Sequence, residues 1–171
     1  MGLSWVANSC LDVKFVLNTN DETMVDPFHM VYFLELRKCQ ENADLLYCST
    51  FYDQGPERNP SDKFFVTYKE FPYDRFPPHC DGFAYIISYS TAFKILEAAK
   101  ETPFFWLDVV FVTGLLALKA AITHTDMPAN HTYNLMQLEH IAGDIRSSMF
   151  LVAKIPALRA HWIMHGTVLH R

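Results

Sequence analysis

Residues 15–25 read Phe-Val-Leu-Asn-Thr-Asn-Asp-Glu-Thr-Met-Val, and the change of character inside this stretch decides how the chain is read. Phe15, Val16 and Leu17 form an apolar, partly β-branched run that predicts a buried strand, and the run stops at Asn20-Asp21-Glu22. Open α/β sheets collect ligands beyond the carboxyl ends of their strands, where neighbouring carboxylates can hold a hard divalent cation against phosphate oxygens. Taken alone, the same three residues also suit an ordinary polar turn.

Outward from this stretch the chain alternates between helix and strand signals. Asp26-Pro27 predicts a helix start, with Asp26 as N-cap, Pro27 in the first turn, Met30, Phe33 and Leu34 on one face, and Arg37 and Lys38 in the last turn. Residues 45–51 (LLYCSTF) predict the next strand, and the polar loop 53–62 with Gly55, Pro56 and Pro60 is expected to be the most mobile segment. Residues 64–68 alternate as a strand does, and Pro72, Pro77 and Pro78 then impose an extended, turning path. A buried strand at Tyr85-Ile86-Ile87 leads to a helix capped by Ser90, with Phe93, Leu96 and Ala99 or Ala92 inward. Near the end, residues 150–154 predict one more strand, ended by Pro156.

Composition narrows the function classes. The chain has 171 residues, half of them hydrophobic, enough for one domain with a real core. A net charge of −5 without a Lys/Arg cluster argues against nucleic acid. Residues 109–118 form the longest charge-free run between Asp108 and Lys119, far short of the roughly 20 residues of a membrane span. It reads as a buried core helix over residues 109–121. Cys10, Cys39, Cys48 and Cys80 lack C-x-x-C spacing, which argues against structural zinc; four cysteines allow three pairings, or free buried thiols. One glycosylation sequon occurs, Asn130-His131-Thr132. The histidines of the tail, among them His161 and His165 one helical turn apart, read as amphipathic helix surface, since no acid follows Lys154 to complete a metal site.

Three blocks carry a resemblance. WVANSC (residues 5–10) followed by VKFVLNTNDETMV resembles the W-V-x-x-x-C-P-x-A-K-Y-V-L-K-T-D-D-D-V-F-V segment of the β-1,3-galactosyltransferase family, glycosyltransferase family 31. KFFVTYKEFPYDRFPPHCDGFAYIIS (63–88) is similar to K-W-Y-V-S-x-E-E-Y-P-x-D-x-Y-P-P-Y-C-S-G-x-G-Y-V-L-S, and PFFWLDVVFVTG (103–114) to P-x-x-L-E-D-V-Y-V-T-G. The blocks keep the family's order and spacing and cover the chain to about residue 121; residues 122–171 carry no motif. The resemblance implies one domain over residues 1–171 with an α/β fold: a partial GT-A, Rossmann-like nucleotide-diphospho-sugar transferase fold, its mixed sheet flanked by helices. The sequence enters the family pattern midway, so the anchor, the stem and the first strands, which grip the nucleotide base, are expected to be missing.

The same resemblance implies a hexosyltransferase that moves a hexose from a UDP-sugar to a glycan acceptor on the lumenal side of the Golgi membrane, with manganese as cofactor. The alternative is a catalytically impaired or truncated relative that acts by binding carbohydrate or by association with full-length transferases. Asn20, Asp21 and Glu22 stand at the family's D-D-D, so Asp21 and Glu22 are the implied metal ligands, with Asn20, Asp21 and Gly82 facing the sugar nucleotide. Glu70 and Asp81 are implied substrate contacts; Glu70 also reads as a solvated charge beside Lys69. Tyr68, Phe71, Tyr73 and Phe76 suit either sugar stacking or a core wall. In the family, Cys80-Asp81-Gly82-Phe83-Ala84-Tyr85 corresponds to a turn in which small residues let backbone approach the donor, and here Asp81 and Phe83 are bulkier. Counting back from Gly114, the family's general base falls on Val109 and the preceding Glu on Asp108. Asp108 is therefore the implied substitute base, its alternative role being helix N-cap.

Overall fold

The computed structural model describes residues 2–20, 23–36, 44–128, 132–134 and 150–152. In chain order the elements begin with α1 (Gly2–Ser9), β1 (Phe15–Thr19), β2 (Thr23–Val25), α2 (Pro27–Leu36) and β3 (Leu46–Phe51). They continue with β4 (His79–Ser88), α3 (Tyr89–Ala99), a π-helix (Val110–Leu116), α4 (Ala117–Lys119), β5 (Thr125–Asp126), β6 (Thr132–Asn134) and β7 (Phe150–Val152). The chain divides into two compact units, Met1–Asn18 with Ala43–Asp126, and Thr19–Asn42 with Met127–Arg171.

The first unit is an α/β arrangement on a four-stranded mixed sheet, order β1-β4-β3-β5. β3 pairs antiparallel with β4 and parallel with β5. Leu46, Tyr47 and Cys48 are fully buried, which is why β3 reads as an unbroken apolar run instead of alternating. Cys48 stands opposite Tyr85 and Thr50 opposite Cys80, so residues 81–84 of β4 face Ser49 alone. The turn expected at residues 80–85 is therefore a bulge within a continuous strand. Burial of Phe83, Ala84 and Tyr85 keeps the chain in the sheet, and the surplus residues are absorbed by the bulge.

At the end of β4, Ser88 rather than Ser90 caps α3: its Oγ accepts the Thr91 N–H at 3.3 Å. Pairing of Ile87 with Leu46 carries the strand to Ser88, and that fixes the cap. The helix buries Thr91, Ala92, Ile95 and Ala98 and leaves Phe93 52% exposed, so Ala92 faces inward as expected while the Phe93, Leu96 and Ala99 face is one residue out of phase. Small Ala92 and Ala98 let the helix sit close to the sheet; a face led by Phe93 would hold it away. The principal core joins Leu46, Cys48, Cys80, Tyr85, Ile87, Ala92, Ala117 and Ile122.

A second core is aromatic. Phe71, Phe76 and Phe105 meet with ring centroids 4.9 to 5.9 Å apart and enclose Val66 and Val110. Phe71 and Phe76 are thus wall, whereas Tyr68 and Tyr73 stay exposed. No strand forms at residues 64–68. Asp62 turns the chain by accepting the Phe64 N–H, Thr67 and Glu70 close a second turn, and only Phe65 makes a single bridge, to Glu57. Loop 53–62, expected to be the most mobile segment, is laced instead: Arg58 donates to the carbonyls of Val66, Phe71 and Tyr73 and covers the Tyr68 ring at 3.9 Å.

The helical run ending at Lys119 closes with a paired reverse bond, Ile122 N–H to Ala117 carbonyl and Ala121 N–H to Leu118 carbonyl. Ala121 sits there at φ 55°, a left-handed conformation that glycine adopts without strain. Among the described residues no helix is long and apolar enough to cross a membrane.

In the second unit β7 pairs antiparallel with β2 and parallel with β6. Asp26 caps α2 as expected, its Oδ1 accepting the N–H groups of Phe28 and His29 at 2.9 and 3.1 Å. Leu34 is the buried residue of its inward face. Arg37, Lys38, Cys39, the asparagine of the sequon and the histidines from His131 onward lie outside the described residues.

Candidate functional site

The site residues on the first unit are placed by β4 and by the segment that opens the π-helix. A Cβ built on Gly82 would stand 3.7 Å from Cγ2 of Val109, so the bulge and the 107–110 segment lie against each other across a glycine. Asp81 begins the bulge half-buried. Burial pushes its carboxyl above the ordinary value of 3.8, against the opposing pull of the Gly82 and Phe83 N–H groups and of His79.

Asp108 is exposed and opens the helix. The Leu107 carbonyl accepts the first helical bond, from Phe111, so Asp108 follows the cap instead of being it, and its Oδ1 takes the Val109 N–H at 2.9 Å. Its charge reaches Tyr85, whose hydroxyl is pushed up to about 12, first by burial and then by Asp108. Asp108 is therefore in the electrostatic neighbourhood of β4, while Val109 is the residue that packs toward Gly82.

Three features bind these segments: the sequence leaves the cysteine pairing open, gives Gly114 only as a motif position, and gives no sign of the role of Thr113. Cys48 and Cys80 form a disulfide with Cα atoms 5.6 Å apart, which spans the base of the bulge; among the described residues Cys10 is the free thiol. Thr113, fully buried, accepts the Cys80 N–H at 2.9 Å and donates to the Val109 carbonyl at 2.6 Å. Gly114 lies where a Cβ would come within 3.2 Å of His79 and 3.3 Å of Pro77, so a side chain there would press on the start of β4. His79 itself is 2% exposed, with ring nitrogens 2.8 Å from the Pro77 carbonyl and from Gln54 Oε1.

Glu70 stands apart from this cluster in its bonding. Its carboxylate accepts the Thr67 hydroxyl at 2.6 Å and the Thr67 N–H at 2.9 Å, and these bonds hold it below the ordinary carboxylate range. Asn20 belongs to the second unit, where its Oδ1 accepts the Thr23 hydroxyl at 2.7 Å. Asp21 and Glu22 lie outside the described residues, and among the described residues no three His, Cys, Asp or Glu gather to hold a metal.

The raised Asp81 carboxyl makes stability depend on pH. Because its folded pKa is raised, its contribution to stability is complete below the unfolded value and is lost as pH rises through the folded one. At pH 7 the buried charge is a liability. Asp81→Asn is expected to raise the melting temperature at pH 7 by roughly 1–3 °C, a modest step because the group is only half-buried. The gap should close as the pH is lowered toward 3.8, and calorimetric scans of both proteins across that range check it.

Residues 1–128 match the galactosyltransferase family. The chain is 28% identical over 171 residues to Beta-1,3-galactosyltransferase 5 of Homo sapiens, covering 99% of this chain and 51% of that protein. It is 28% identical to Beta-1,3-galactosyltransferase brn of Drosophila melanogaster over 123 residues, covering 72% of this chain and 38% of that protein. The chain spans about half or less of the length of these curated relatives.

Proposed function

The chain belongs to the galactosyltransferase family, and on that premise we propose that it is part of a hexosyltransferase of the β-1,3-galactosyltransferase type, moving a hexose from a UDP-sugar to a glycan hydroxyl. The observation that carries this reading is the family match over residues 1–128, which includes both segments of the site that fold against each other at Gly82 and Val109. Both units then belong to one catalytic domain of the GT-A kind.

The roles follow from chemistry. Gly82 admits the donor close to backbone, and Asp81 and Glu70 are carboxylates suited to sugar hydroxyls. Asp108, exposed at the start of the helix, would take the proton of an acceptor hydroxyl. Asn20, Asp21 and Glu22 offer hard oxygen donors suited to manganese. When bound, the cation would neutralise the diphosphate leaving group. The Cys48–Cys80 bridge supports folding in an oxidising compartment, in keeping with residence in the Golgi lumen.

One observation favours a second reading. The side chain that a Cβ on Gly82 would meet is that of Val109, which cannot accept a proton, so the chain would bind sugar nucleotide or glycan without transferring it. Isothermal titration with UDP-galactose in the presence of manganese tests what both readings share. Saturable heat that disappears on chelation is expected; no heat at millimolar donor would overturn the donor site. Release of UDP on adding acceptor then separates the two readings.

A further inference from the structure

We infer that Thr113 is a positioning residue that holds the Asp108 segment in register with the Asp81–Gly82 bulge. The inference rests on the transferase reading only for its kinetic consequence; the geometry stands without it. A single buried hydroxyl joins the two segments of the site. It accepts from the amide of Cys80, the residue before Asp81, and donates to the carbonyl of Val109, the residue after Asp108.

The backbone of the same residue is also engaged. His124, whose ring burial pushes below its ordinary value, donates Nε2–H to the Thr113 carbonyl at 2.7 Å. Thr113 thus fastens three elements, β4, the 107–109 segment and the stretch leading into β5. It does so in a π-helix, whose wider turn leaves backbone groups for bonds outside the ladder. A hydroxyl that bonds back four residues also fixes the direction in which the helix leaves Asp108.

The consequence is geometric. Without the hydroxyl, Cys80 N–H and Val109 C=O lose the bridge between them, and the two segments shift independently. A misplacement of about 1 Å in a reacting group can lower a rate on the order of 100-fold. Valine keeps the shape of threonine and removes both bonds, while serine keeps both.

The experiment compares Thr113→Val, Thr113→Ser and each change in an Asp108→Asn background. For Thr113→Val we expect a fall in kcat for hexose transfer of at least about tenfold with KM for UDP-galactose little changed. Thr113→Ser should stay close to the parent, and Thr113→Val should cost nothing further once Asp108 is Asn. A Thr113→Val protein whose kcat is unchanged although its Cys80 amide exchanges faster with solvent would overturn the inference, as would an equal loss in the Asp108→Asn background. If the parent transfers no hexose, the transferase reading fails by itself. The amide resonances of Asp81 and Asp108 then decide, since both should move in Thr113→Val and stay in place in Thr113→Ser. Unmoved resonances in Thr113→Val refute the role. Should Thr113→Val not fold, Thr113→Cys, with a weaker donor and acceptor, is expected to give the same changes at smaller size.

Discussion

Asp108→Asn is expected to lower hexose transfer by roughly 100- to 10,000-fold, the range that loss of a general base produces, with the fold left intact. The two halves of that statement come from different observations. The side chain is exposed and its one local bond, from Val109 N–H, can be accepted equally well by the Asn carbonyl, so stability should change by no more than about 0.5 kcal/mol. The rate depends on the carboxylate alone, because an amide offers the same shape and no basic oxygen. A UDP-release assay with both proteins at equal concentration, run beside thermal scans, checks both. If Asp108→Asn transfers as fast as the parent, the base lies elsewhere. Val109→Asp then becomes the informative variant, since position 109 is the one that packs against Gly82.

The second large effect concerns the bridge. Replacing Cys48 and Cys80 together by Ala should cost roughly 3–4 kcal/mol, from release of a 32-residue loop in the unfolded chain. Here loop closure is one part of the effect. Both cysteines are buried in the principal core, and between them they hold the register shift that creates the bulge. In urea the double variant should unfold at a much lower midpoint and with a steeper slope, because the unfolded chain without the cross-link exposes more surface. A midpoint within error of the parent would mean that the bridge does not constrain the chain. A milder comparison, parent with and without reductant, should move in the same direction.

The reach of the sequence is clearest where a pattern is local. Asp26-Pro27 announces α2 because cap and first turn are read within four residues, and β3 is visible because burial on both faces makes its apolar run continuous. Motif agreement marks Gly82 and Asp108 as candidates, as expectations only. What stayed hidden depends on partners distant in sequence. The bulge at 81–84 exists only relative to β3, the cap falls on Ser88 because Ile87 pairs with Leu46, and the choice of Cys48 with Cys80 needs the two strands side by side. The count back from Gly114 puts the family's base position on Val109, which does stand toward Gly82; that Asp108 lies inside the helix instead of capping it depends on the bond from Phe111 to Leu107 and is not legible in the motif. The same holds for Thr113, whose hydroxyl in sequence is one more polar atom in an apolar run.

The claim on which the rest depends is that the β4 bulge and the start of the π-helix form one sugar-nucleotide site. It is tested most directly by titrating isotopically labelled protein with UDP-galactose, with magnesium as the diamagnetic stand-in for manganese, and following backbone amide resonances. The account predicts that the largest shifts fall together on Gly82, Phe83, Asp108 and Val109 and saturate at one common donor concentration. Shifts that leave those four amides in place while saturating elsewhere in the chain would contradict it.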